Sequence, residues 1–131
     1  MTTTLLTLNK PNSNSRIYST EVIETAIEKS RILLERKRLF VSAKMNSESS
    51  GLNIENVVGI VKDLKIEGNN LIGEIDFLPE LLEKHFPSHL PSFEDQFNKT
   101  LFVRPRGMGT VKNGIISDYI INYFFLTDDP T

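Results

Sequence analysis

LFVRPRGMGTV (Leu101–Val111), KNG (Lys112–Gly114) and IISDYIINYFFLTDD (Ile115–Asp129) read as two strands joined by a short turn, with an arginine-rich bend in the first. β-Branched and aromatic residues dominate both arms. Gly107-Met108-Gly109 interrupts the first arm and predicts a tight turn or bulge. Ile115, Ile116, Ile120, Ile121, Tyr123, Phe124 and Phe125 make the second arm apolar on both faces. Such a strand needs a central place in a sheet or a covered surface, and self-association through this C-terminal strand is expected.

Upstream, Val57–Glu67 and Leu71–Leu78 flank Gly68-Asn69-Asn70, whose residues tolerate the backbone angles of a tight hairpin. Leu71, Gly73, Ile75 and Phe77 share one face, and Ile72, Glu74 and Asp76 the other, so Glu74 and Asp76 should meet water. Thr3–Asn9 suits a first strand, Pro11–Ser15 a loop, and Leu39–Met45 a second strand followed by a polar loop at residues 46–51. Between them a helix is predicted, capped by Ser19 or Thr20. Glu21 and Glu24 complement its N-terminus, and Arg36, Lys37 and Arg38 its C-terminus or, alternatively, an acidic partner. Val22, Ile23, Ala26, Ile27, Ser30, Leu33 and Leu34 form its sheet-facing stripe. Pro79, Pro87 and Pro91 bracket a short helix over Glu80–Phe86.

Length and composition narrow the classes. The 131 residues, 39% of them apolar, correspond to one domain spanning residues 1–131. A net charge of −2, from 15 basic and 17 acidic residues, provides no field for nucleic acid or an anionic membrane, and neither partner is expected. The absence of cysteine excludes disulfides, thiolate metal sites and thiol nucleophiles. MTTTLLTL lacks the features of a signal peptide, and no apolar run reaches membrane-spanning length, so a soluble protein is expected.

Three segments together carry a resemblance. They are the Asn12, Asn14, Arg16, Ile17, Tyr18 motif followed by Glu21-Val22, the hairpin over residues 54–78, and Arg106-Gly107-Met108-Gly109. In these residues the chain resembles the prohead maturation protease family of tailed bacteriophages, serine proteases with a herpesvirus-assemblin-like fold. The resemblance spans about residues 5 to 130 and departs from the family pattern at Ser15, where glycine is usual, and Ser19, where proline is usual. It implies a catalytic histidine soon after the first helix and a catalytic serine just before the Arg-Gly pair. Yet no histidine lies between Leu39 and Glu55, no serine lies between Phe93 and Ile116, and Arg104-Pro105 stands in the serine's place. Arginine stays protonated and proline carries no nucleophile, so no catalytic residue is assigned and the chain reads as an inactive member.

Other chemistries are weaker. Ser42 and Lys44 are spaced as a serine-lysine pair, but side chains two apart on a strand diverge. His85 or His89 with a serine of residues 47–50 lacks an orienting context. His85 and His89 also have metal-ligand spacing, and Asp128-Asp129 is acidic, but Pro87 separates the histidines and nothing completes either set, so no metal or cofactor is expected. Arg16, Arg104 and Arg106 remain as a candidate binding feature able to grip a carboxylate, unless Arg106 pairs internally with Asp118 or Glu74.

The expected architecture is α+β: a mostly antiparallel, partly closed barrel of about six strands with one long and one short helix. The resemblance implies a non-catalytic virion or capsid-assembly protein of a phage, in the virion or host cytoplasm, bound to capsid or scaffold protein. An active serine-type maturation protease with displaced catalytic groups, and a non-virion phage binding module, are the alternatives.

Overall fold

In the computed structural model, which describes residues 1–45, 51–85 and 101–128, the chain runs β1 (Thr2–Thr7), α1 (Thr20–Glu35), β2 (Phe40–Ser42), a 3-10 turn at Ile54–Asn56, β3 (Val57–Glu67), β4 (Asn70–Phe77), α2 (Pro79–His85), β5 (Phe102–Lys112) and β6 (Ile115–Thr127). The six strands form one mixed sheet in the order β1-β4-β3-β2-β6-β5. All neighbours are antiparallel except β2 and β6, which run parallel through Val41 and Ser42 against Phe124 and Phe125. The sheet curls into a half-barrel, bringing its edge strands β1 and β5 near each other. The expected partly closed α+β architecture is therefore present, with one parallel pair.

Both hairpins follow from turn chemistry. Gly68 has φ +58°, and Asn113 and Gly114 have φ +53° and +79°, the two successive left-handed residues of a hairpin turn that matches strand twist. Alternation in β4 holds: Leu71, Gly73 and Ile75 are buried while Glu74 and Asp76 are exposed. Asp76 meets Lys62 at 3.6 Å on the surface, a contact that contributes little in water.

Helix α1 starts at Ser19, whose hydroxyl accepts from the Val22 N–H at 3.2 Å. Its face buries Ile23, Ala26 and Ser30 against β6 and β3, and the Ser30 hydroxyl is satisfied by the Ala26 carbonyl at 2.9 Å. The basic run lies just past the helix end rather than in its last turn, because the chain turns at Lys37 (φ +55°). Strand β2 is shorter than the expected Leu39–Met45, since its ladder partners end there and Ala43 donates instead to the Asn56 carbonyl at 2.7 Å. One apolar cluster links the layers, with Leu5, Ile23, Val41, Val61, Leu71 and Phe124 among its fully enclosed members. Truncating such a side chain to alanine costs about 2–5 kcal/mol.

Strand β6 shows how a strand apolar on both faces is accommodated. It lies inside the sheet, between β2 and β5, and α1 packs on it. Ile116, Ile121, Tyr123 and Phe124 are buried, but Ile115 and Ile120 remain 52% and 47% exposed where the β5–β6 ribbon extends beyond β2. Among the described residues no helix is long and apolar enough to cross a membrane.

Candidate functional site

The loop before α1 is built around Asn12. Its side-chain oxygen accepts from the Asn14 and Arg16 N–H groups at 2.9 and 3.0 Å, while its own N–H donates to the Arg16 carbonyl at 2.9 Å. Ser15 takes φ +58° within this loop, which explains physically why glycine suits that position in the family the sequence resembles. The next residue, Ile17, docks on the β5–β6 ribbon: its N–H donates to the Gly114 carbonyl at 2.7 Å and its carbonyl accepts from Ile116 at 2.9 Å. Arg16 and Tyr18, although about ninety residues away in sequence, are thereby fixed beside β5 and β6.

The Gly107-Met108-Gly109 irregularity is a pair of bulges, and the extra residues sit on the opposite strand. Arg106 faces Tyr123 but Gly107 faces Ile121, and Met108 faces Ile120 but Thr110 faces Ser117. Asp118 takes φ +53° inside the second bulge. The bulges swing Tyr119 across the two glycines. A Cβ at Gly107 would lie 2.6 Å from its Cζ and 2.7 Å from its hydroxyl, and one at Gly109 would lie 3.2 Å from its Cδ1. Glycine is required here for close approach rather than for a special backbone angle.

Tyr119, 5% exposed, meets Tyr18 edge to face, with ring centroids 5.2 Å apart at 78°. Burial is the main cause that raises the Tyr119 phenol above its usual pKa, and the field of and hydrogen bond with Tyr18 add to it against the opposing Arg106 charge. Burial likewise raises Tyr18, against the lowering influences of Arg16 and of the bond with Tyr119. Both phenols therefore stay neutral at ordinary pH.

Arg16, Tyr18, Arg106 and Tyr119, with Asn14 and Met45, line a cleft of about 400 Å³ floored by the glycine-bulge region. The structure thus brings together two of the three arginines singled out in the sequence. Arg104 is elsewhere, at the seam of the half-barrel. Its Nη1 donates to the Val103 carbonyl at 2.9 Å and across the seam to Thr4 at 3.4 Å, and its guanidinium lies 5.0 Å over the Phe102 ring. It lines a separate pocket of about 230 Å³ with residues of β1 and the following loop. Among the described residues, neither Asp118 nor Glu74 forms an ion pair with Arg106, and the buried Arg106 Nε has no hydrogen-bond partner.

The remaining candidates take other roles. The Ser42 hydroxyl, 2% exposed, donates to the Lys44 carbonyl at 2.7 Å, so it contacts Lys44 through the backbone. His85 Nε2 lies 3.0 Å from the Glu55 carbonyl, tying α2 to the 3-10 turn. His89, Asp129 and the serines of residues 47–50 lie outside the described residues. Among the described residues no group of histidines and carboxylates is placed to hold a metal. Sequence reasoning singled out Asn12 and Tyr18 as motif residues without giving them a role in the site, and missed Tyr119 altogether. The Asn-x-Asn spacing signalled the loop, but nothing local linked Tyr119 to it.

No family model matches the chain, and no curated protein matches it. Among solved structures, the chain is similar to the capsid assembly protease of bacteriophage T4, with a TM-score of 0.70 and 18% identity over 98% of this chain and 77% of that one. The likeness shows that the α+β half-barrel of this chain shares the fold of that protease.

Proposed function

We propose that this chain is a non-catalytic phage structural or capsid-assembly protein, acting in the virion or host cytoplasm by binding capsid or scaffold protein. One observation carries this reading: the described residues lining the cleft of Arg16 and Arg106 include no serine, threonine, cysteine, histidine or carboxylate. Acyl transfer by a serine protease requires a hydroxyl, a base to take its proton and donors for the oxyanion. Only the donors have counterparts here. The tyrosines do not substitute, because a phenol raised above its usual pKa is a poor nucleophile at neutral pH. The absence of serine between Phe93 and Ile116, and of histidine between Leu39 and Glu55, supports the same conclusion along the chain.

Self-association through the C-terminal strand belongs to this proposal, supported by exposed Ile115 and Ile120 on the projecting ribbon. Sedimentation velocity over a concentration series tests it, and a monomer throughout removes it. The non-catalytic reading is tested by a fluorophosphonate probe on the purified protein with intact-mass detection. No adduct is expected, whereas stoichiometric labelling of any serine establishes the displaced-active-site alternative. Quantitative mass spectrometry of purified particles should find the chain, and its absence from both particles and their assembly intermediates favours a non-virion binding module.

A further inference from the structure

We propose that the Arg16–Arg106 cleft receives a carboxylate from a polypeptide segment of the partner, with an apolar residue beside that carboxylate packed against Met45 and Phe125. The proposal deepens the binding function above and rests on it. A buried guanidinium N–H without an acceptor is costly, and the cost is greater for a charged donor than for a neutral one. Arg106 Nε is in that state but is enclosed, so a ligand in the cleft would meet the outer nitrogens of the same guanidinium. The acidic group beside it is the Tyr119 phenol, which stays neutral and provides no counter-charge. No carboxylate is among the described residues lining the cleft, and no ion pair reaches Arg16 or Arg106 among the described residues.

The geometry favours an external acceptor. The Arg16 backbone is held by the Asn12 loop and the neighbouring Ile17 bond to Gly114, so only the exposed Arg16 side chain has to be ordered on binding. A planar guanidinium matches a carboxylate in a two-point fork, and the second cation adds attraction without requiring another contact. The cleft volume of about 400 Å³ holds an acidic side chain and one neighbour but not a folded element. Met45 and Phe125 give the wall an apolar part. That mixed lining fits a peptide better than a phosphate-rich polymer, whose charge would face these apolar groups without compensation.

The test uses the intact chain and three fluorescein-labelled hexapeptides, read by anisotropy. One is amidated with a single Asp beside Phe, one is its Asn counterpart, and one carries a free terminal carboxylate after Phe. The expected result is saturable binding of at least one carboxylate peptide, at least about tenfold tighter than the Asn peptide, weakened by salt. The tighter of the two carboxylate peptides identifies a side-chain or terminal source. Arg106→Gln and Arg16→Gln should each reduce that affinity about tenfold or more. Circular dichroism and thermal melting of each variant verify that it is folded, and Arg16→Gln, at the cleft rim, serves if Arg106→Gln does not fold. Failure of both carboxylate peptides to bind more tightly than the Asn peptide, no binding by any peptide, or competition by inorganic phosphate at lower concentration than by acetate overturns the proposal. Mass spectrometry of the same mixtures separates the two levels: peptide cleavage refutes the non-catalytic reading, while the affinity of the tighter carboxylate peptide relative to the Asn peptide decides carboxylate recognition.

Discussion

Replacing Gly107 by alanine adds a single methyl group where the β5–β6 ribbon has no room. The new Cβ would lie 2.6 Å from Tyr119 Cζ and 2.7 Å from its hydroxyl, and closer still to the Ile120 carbonyl oxygen. Ordinary carbon contacts lie at about 3.5–4.0 Å, so the strands must part by about 1 Å or Tyr119 must leave its place against Tyr18. Backbone sits on one side and a buried ring on the other, so neither neighbour yields easily. Overpacking of this kind costs about 3 kcal/mol. For a chain of this size, that is a fall in Tm of about 10 °C. Gly68→Ala is the control: its φ of +58° imposes a left-handed penalty of about 1–2 kcal/mol, but no atom lies within 4 Å of the added carbon. Thermal and urea unfolding followed by circular dichroism should rank Gly107→Ala well below Gly68→Ala. A Gly107→Ala protein that melts with the parent, or above the control, refutes the bulged packing described for the site.

Ser15→Gly should raise stability by about 0.5–1 kcal/mol, because relief of the left-handed backbone exceeds the entropy cost of glycine; urea unfolding reads the change, and a loss contradicts the loop geometry. Asn12→Ala removes the acceptor of two backbone N–H groups and should cost about 1–2 kcal/mol, with a parallel loss of peptide affinity because Arg16 is no longer held. Raised phenol pKa values set an alkaline limit on stability. The folded protein keeps the Tyr119 proton where the unfolded chain has lost it, so this contribution is fully present below the unfolded pKa of about 10 and is lost as pH rises toward the folded value. Above pH 10 the parent should therefore lose up to about 1.4 kcal/mol per pH unit more than Tyr119→Phe, measured by denaturant titration, and identical pH profiles contradict the buried phenol.

The elements of this fold were legible where their cause is local. The hairpins were marked by Gly68-Asn69 and Asn113-Gly114, and the helix by Ser19 and an apolar stripe; each feature depends on residues a few positions apart. Strand β2 was overextended because its end depends on which neighbours offer ladder partners, and that is a property of β3 and β6. The three arginines looked equivalent on paper. Arg104 and Arg106 are two residues apart in β5, yet one bridges the barrel seam to Thr4 and the other lines the cleft with Arg16.

That no serine lies between Phe93 and Ile116 and no histidine between Leu39 and Glu55 is a matter of residue order alone. Residue order by itself therefore determined the α+β character, both tight turns and these two absences. Tertiary structure alone decided that Tyr119 lies over Gly107, that Tyr18 meets it edge on, and that two cations share a cleft with no counter-charge among its described lining residues. The physical reason is distance along the chain. Turn and helix preferences act over a few bonds, whereas the cleft depends on sheet curl, two bulges and the docking of Ile17 on Gly114 and Ile116, contacts made between segments about a hundred residues apart.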